Sequence, residues 1–445
     1  MAGAADHTRH GSHAFEVIFL LVLAIAGFLP GQSGIPVEDG GEAITVARLG
    51  GTMHPPGMPL LALLLRVSWL AGEAGPVILM ALCSAFSLWL LFRRAGAAGL
   101  AMALAVLSMP AFRARVLAWD AYGPLFLLFS IALSMRTASA PLTGYLTGLA
   151  LSVHPWGVLL PAASGIRRHG IATAAVFLIA GASLYLALPV MSAVGCAVDW
   201  GTPGDLEGFL RQVSASGYRE VYGASMGRFS PEALSRHLGT VGGMLWPAFC
   251  LPVAIGAVSL FRSRGRELAV LLALVMFDLL LVVFINPMAS GTSQTAWLTL
   301  LAFCGLAAAS LRRLPTVASL LISAAVASAS LVERADPLPD QEPEIRRLLG
   351  SAPLESGFFL SDNDLLYGCW MEKYARDLRP DVVLLSTGNF SPWFERLARR
   401  YNPDLDTSGG LYEAGGPGTP REVLVARLME MTIRNNPQRE FFTDL

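Results

Sequence analysis

The sequence predicts an α-helical polytopic membrane protein that ends in a small soluble α/β domain, and three observations carry that prediction. Of the 445 residues, 54% are hydrophobic and only 15% are charged, with a mean hydropathy of +0.54. That is more apolar side chain than one water-soluble core can hide. Apolar runs recur near 15–29, 57–71, 76–92, 99–110, 116–135, 142–163, 171–192, 241–261, 268–285, 295–311 and 315–332. Beyond residue 333 the pattern changes: short β-like runs, GFFLS at 357–361 and DVVLLS at 381–386, alternate with helical patterns at 364–377 and 392–401.

The connections between the runs set a topology. Arg93 and Arg94, Arg136, Arg167 and Arg168, the segment Phe261–Glu267, and Arg312 and Arg313 each follow or precede an apolar run. Placing all of them in the cytoplasm satisfies the positive-inside bias. The first run, preceded by Arg9, then reads as an uncleaved helix instead of a signal peptide, since many further spans follow. The run at 57–71 is short, carries Arg66 and has Pro56 and Pro59 at its start, which suits an interfacial helix on the outer surface. The run at 142–163 divides at His154 and Pro155 into two short helices that meet at the outer face.

About eleven spans result. Asp39, Glu42, His54, Arg113, Arg115, Asp120 and His154 all fall on the outer side. A competing count, with 57–71 spanning and 142–163 unbroken, would move Arg113 and Arg115 inside and expose Arg93, Arg94 and Arg136. The expected organisation is a transmembrane domain over 1–333, with outer loops at 30–75 and 193–240, and a soluble outer-face domain over 334–445 behind a Pro- and Asp-rich linker.

Several function classes drop out. Net charge is -1 and the basic residues are dispersed, so no patch for nucleic acid exists. The five cysteines lack metal-like spacing. Neither a phosphate-binding loop nor a strand-linked dinucleotide fingerprint occurs, which disfavours a nucleotide sugar as donor. A transporter or flippase of an anionic or lipid-linked substrate remains the alternative, although repeated halves and paired broken helices are not evident.

The ionisable residues concentrate in Glu38–Leu70, where Glu38, Asp39, Glu42, Arg48 and His54 directly follow the first apolar run. Charges at a membrane are costly unless they line a polar cavity, so such a cluster is a functional candidate. A carboxylate at the surface can act as general base on a hydroxyl, and arginines can clamp a phosphate as fixed bidentate donors. The plainer alternatives are helix capping for Asp39 and Glu42, snorkelling for Arg113 and Arg115, and turn-fixing roles for His54 and His154, each of which precedes Pro. Asp278, inside FDLLLVV, reads as a packing or hydrogen-bonding partner, at a depth that also suits a lipid path.

Asp39-Gly40-Gly41-Glu42, followed by His54-Pro55-Pro56-Gly57 and Pro59, resembles the D-x-G-E and H-P-P-G-x-P signature of a membrane-protein family. That family joins animal protein O-mannosyltransferases with bacterial proteins of poorly known function. WDAYGPL at 119–125 is similar to its E-V-Y-x-L segment, GLALSVHPWGVLLPA at 148–162 to its G-L-x-x-x-x-H block, and DWGTP at 199–203 to N-W-G-D-P. In the tail SDND at 361–364, RPDVVLL at 379–385 and PWFERL at 392–397 continue the likeness.

The resemblance implies a GT-C glycosyltransferase fold with a polyprenyl-phosphate sugar as donor and a protein or glycan hydroxyl as acceptor. Asp39 would be the general base of an inverting transfer, supported by Glu42. His54, Arg113, Arg115, Asp120, His154 and Trp200 would bind substrate. The expected location is a bacterial inner membrane, with the site and C-terminal domain facing outward and contacting membrane lipid. A divalent metal near Asp39 and Glu42 is left open, because two carboxylates at this spacing are too few to argue one. Departures include Asp120 for the usual Glu, Ala43 where an aromatic is common, and Val198-Asp199 where Asn is expected, so donor or acceptor choice can differ from that of the animal enzymes.

Overall fold

The structure, a computed structural model, describes residues 16, 18–22, 39–116, 121–135, 139–164, 170–216, 227–245, 248–285, 296–332, 341–388, 390–412 and 419–444. Among these the chain is predominantly helical. Three helices are long and apolar enough to cross a membrane: Ala74–Ser108, Ile171–Ala193 and Gly265–Phe284. The pair Pro231–Leu245 and Cys250–Ser263 makes a fourth if it is one broken span.

Among the described residues helix length thus accounts for three or four of the expected spans, and most of the first apolar run, 15–29, lies outside them. At His154 the backbone turns extended (φ -165, ψ 151), ending the Ala140–Val153 helix where the sequence places a break. The run at 57–71 forms only the Pro59–Ser68 helix and a 3-10 turn at Trp69–Ala71. Tyr122–Ser134, Trp297–Leu311 and Thr316–Ser330 are likewise short apolar helices of 10–17 residues.

Two compact units emerge: one of Met1–Gln32, Val77–Leu184 and Tyr218–Asp336, the other of Ser33–Pro76, Tyr185–Gly217 and Pro337–Leu445. In the first unit small residues let helices approach closely. A Cβ on Gly148 would lie 2.3 Å from the Leu178 carbonyl oxygen, and one on Gly181 2.4 Å from that of Tyr145, so Ala140–Val153 and Ile171–Ala182 touch through backbone. Asp278 is buried, and its Oδ2 accepts from the Thr299 amide (2.9 Å) and hydroxyl (2.7 Å). A carboxylate thus satisfies the first turn of the Trp297–Leu311 helix, the hydrogen-bonding role its sequence context suggests.

The second unit joins segments far apart in sequence. Its larger sheet has the order β4-β3-β5, all parallel, from β3 (Gly357–Leu360), β4 (Val383–Ser386) and β5 (Phe441–Thr443). The helices Asn363–Trp370 and Pro392–Tyr401 pack against it. A second parallel pair, β1 (Gly51–Thr52) with β2 (Val198–Asp199), ties the first polar loop to the DWGTP segment.

Tail motifs resolve into structural fastenings. Asp362 caps its helix by accepting from the Leu365 amide at 3.0 Å. Arg379 grips Asp381 with two bonds of 2.9 and 2.8 Å, and this pairing holds the Asp381 carboxyl down at about 2. All five cysteines are free thiols, so Cys196 and Cys369 are not bridged.

Candidate functional site

The Gly40–Leu49 helix is buried from Gly40 to Ala47 and forms the floor of the candidate site. A Cβ on Gly41 would sit 2.5 Å from the carbonyl carbon and oxygen of Tyr367, so this glycine lets the helix press directly on the backbone of the tail. Gly41→Ala is expected to cost about 1–3 kcal/mol, read as a lower thermal midpoint. Gly239→Ala, in a helix with nothing within 4 Å of the new Cβ, is expected to be neutral or slightly stabilising. At the other end of the Gly40–Leu49 helix, the Arg66 guanidinium donates to the carbonyls of Ala47 (3.1 Å) and Arg48 (2.5 Å). The charge that makes 57–71 a poor span therefore closes a helix C-terminus.

Asp39 precedes the helix with helical backbone angles (φ -75, ψ -2), and its carboxylate makes no capping bond, so the capping alternative does not hold for it. Glu42 is fully buried and devotes both oxygens to one residue. Oε1 accepts the backbone N–H of His54 at 2.8 Å, and Oε2 meets His54 Nδ1 at 2.5 Å. The ring is thereby oriented so that Nε2 faces Asp39 Oδ2 at 3.7 Å. Side-chain exposure is 0% for Glu42, 9% for His54 and 27% for Asp39, so the order Glu42–His54–Asp39 runs from interior to surface.

Burial alone would favour a neutral imidazole. The charges of Asp39 and Glu42 and the Glu42 hydrogen bond outweigh it and push His54 up to about 9.

The loop carrying His54 is held from several sides. Gly51 leaves room for the Val198 carbonyl oxygen, which would lie 2.1 Å from a Cβ. Buried Gln212 donates from Nε2 to the Met53 carbonyl at 2.7 Å. A cis Pro55–Pro56 bond precedes Gly57, whose amide returns to the His54 carbonyl at 2.8 Å. Trp200 stands edge-on to His54 with centroids 6.4 Å apart, and it is backed by Trp393 (5.1 Å) and Phe394 (5.5 Å). Beside it, Asp199 Oδ2 accepts from Arg396 (2.7 Å) and Ser192 (3.1 Å), while burial pushes the Asp199 carboxyl up.

Four residues singled out from the sequence are thus brought together: Asp39, Glu42, His54 and Trp200. His154 belongs to the other unit, where its Nδ1 accepts from the Trp156 amide at 3.3 Å and its ring lies near Tyr122 (5.7 Å). That is a turn-fixing geometry. Arg113 is also in that unit, half-buried in the Pro110–Val116 helix. Glu38, Asp120 and the side chain of Arg115 lie outside the described residues.

Sequence reasoning missed Gln212, for which no local signal exists, and the Asp199–Arg396 pair. The signal for the pair was present as two separate motifs, DWGTP and PWFERL, that meet in space.

Chemically, this is a relay. A buried acid fixes an imidazole, and the imidazole faces a carboxylate that reaches the surface. The three residues also lie close enough to contact one cation. With Nδ1 engaged by Glu42, however, only Asp39 Oδ2 and His54 Nε2 would face it, short of the three or four protein ligands of a zinc site. No protein-family model and no curated protein sequence matches this chain.

Proposed function

We propose that the protein is a membrane glycosyltransferase that moves a sugar from a polyprenyl-phosphate donor to an acceptor hydroxyl of a protein or glycan, with Asp39 as general base. The observation that carries this reading is the graded triad, in which Glu42 is wholly buried and Asp39 alone presents substantial surface. A buried carboxylate–imidazole pair at the start of a helix is expensive to hold, and its evident product is a positioned Asp39. The resemblance of the D-x-G-E and H-P-P-G segments to the protein O-mannosyltransferase family points the same way.

In this mechanism the acceptor hydroxyl gives its proton to Asp39 as its oxygen attacks the anomeric carbon. The bond from that carbon to the phosphate oxygen breaks, and polyprenyl phosphate leaves with the electron pair. The sugar is inverted. His54 Nε2, 3.7 Å from Asp39 Oδ2, orients the carboxylate before the acceptor arrives. Glu42 holds His54 in place and touches no substrate. Trp200 walls the imidazole off from the tail side.

The decisive experiment is transfer from a panel of polyprenyl-phosphate sugars by purified protein in nanodiscs, scored as release of polyprenyl phosphate. Turnover with one donor supports the reading and names the sugar. Absence of turnover with every donor and a range of acceptors removes it and advances the transporter alternative.

A divalent ion fits the donor set poorly, because both Glu42 oxygens are engaged by His54, which leaves Asp39 and His54 Nε2 to face one. Transfer is therefore expected to survive prolonged chelation with EDTA within about twofold. Loss of activity, with recovery on adding back Mn²⁺ or Mg²⁺, would instead assign Asp39 and His54 as ligands.

A further inference from the structure

The first unit contains a cavity of about 870 Å³ that the glycosyl-transfer reading does not use. It is lined by Arg94, Arg264, Arg266 and Arg312 and by the apolar side chains of Leu90, Leu91, Leu133, Leu260, Val270 and Leu271. The arginines come from three separate places in the chain. Arg94 lies in the 3-10 turn Arg93–Ala95, Arg264 and Arg266 at the junction of Cys250–Ser263 with Gly265–Leu280, and Arg312 just past Trp297–Leu311.

Arginines that merely snorkel at a membrane surface would splay outward from each helix end. These four line one space instead, with Glu267 the one acidic residue among the described lining residues, and it pairs with Arg264 at 3.0 Å. Four arginines and a set of apolar side chains lining one cavity match one kind of occupant: an anion attached to hydrocarbon. The volume lies within the range of small-molecule pockets and holds a headgroup with the upper part of its chains.

We infer that this cavity is a binding site for an anionic phospholipid, its phosphate gripped by Arg94, Arg264, Arg266 and Arg312 and its acyl chains lying along the leucine-lined wall. Guanidinium pairs suit phosphate oxygens through bidentate bonds, and basic pockets between membrane helices are where such headgroups settle. The inference needs the protein to be membrane-embedded but is independent of glycosyl transfer, because its readout is lipid retention and not turnover.

The test uses the full chain in detergent, titrated with phosphatidylglycerol, phosphatidylcholine or inorganic phosphate, with bound lipid counted by native mass spectrometry. The double variant Arg94→Gln/Arg264→Gln is expected to weaken phosphatidylglycerol binding by about twentyfold or more, roughly fivefold per arginine. The control Arg262→Gln/Arg313→Gln removes two exposed charges from the same connections but outside the cavity lining, and is expected to change binding less than twofold. If the double variant fails to insert, the single variants Arg94→Gln and Arg264→Gln give the same reading at about fivefold each.

Equal losses in the cavity and control variants would overturn the inference in favour of diffuse surface attraction. Equal retention of phosphatidylcholine would reduce the cavity to an apolar groove. Displacement of phosphatidylglycerol by millimolar phosphate would make the site one for a free anion.

Discussion

Asp39→Asn is expected to lower the rate of sugar transfer by about a hundredfold or more, the range for losing a general base, with little change in donor KM. The substitution is nearly isosteric, and Asp39 makes no capping bond that the fold would miss. Its close partner in the triad is His54 Nε2 at 3.7 Å, so the substitution gives up part of the stability that the raised His54 contributes. A loss of kcat of about a hundredfold in a variant that remains folded at the assay temperature therefore separates chemistry from folding. A variant that keeps a third or more of wild-type turnover would end the assignment of Asp39 as base. The same comparison carries a second readout: removing the Asp39 charge takes away one of the forces that raise His54, so the His54 pKa is expected to fall toward its ordinary value.

Much of this site was legible as a concentration of charge, and little of it as a geometry. The sequence marks Asp39, Glu42 and His54 as unusual beside an apolar run, yet nothing in a twelve-residue separation says that Glu42 grips both the ring and the amide of His54. The glycine at position 41 looks like helix-start flexibility, and its reason, the Tyr367 backbone, lies in the tail. Asp199 and Arg396 are 197 residues apart, so no periodicity reports their pairing. The two-residue strands Gly51–Thr52 and Val198–Asp199 are too short for any alternating pattern.

In the tail, the runs around Gly357–Leu360 and Val383–Ser386 do form strands, since β-branched and aromatic residues buried on both faces need a sheet. Phe441–Thr443 escaped notice because it is brief and ends the described chain. The span count is matched only in part, with three or four helices of spanning length among the described residues. Apolarity measures preference for lipid and does not record where a helix stops; the stop at His154 is marked in the sequence by the Pro155 that follows it.

Glu42→Ala is expected to have the largest effect on stability of any substitution in the site. It removes the acceptor for two hydrogen bonds and takes from the buried His54 the carboxylate that holds its Nδ1. Breaking one partner of a buried pair costs about 3–5 kcal/mol, so amide exchange in the segment 51–58 should accelerate by at least about a hundredfold. Unchanged protection there would show that Gln212, Gly51 and the cis Pro55–Pro56 turn hold the loop without Glu42.

The pH dependence gives an independent check. His54 is raised from 6.5 to about 9 in the folded protein, so it binds its proton more tightly folded than unfolded. The stability it contributes is fully present below about pH 6.5 and is lost as pH climbs through about 9, a change on the order of 3 kcal/mol. Wild type should therefore lose loop protection over that interval, after correction for intrinsic exchange. Glu42→Gln keeps the carbonyl acceptor for the His54 amide but offers an NH₂ to Nδ1 where the carboxylate offered an acceptor. With the charge gone, its protection should change much less over the same interval. A steep wild-type slope that survives in Glu42→Gln would transfer the pH dependence to Asp39 alone, and with it the role of holding His54 charged.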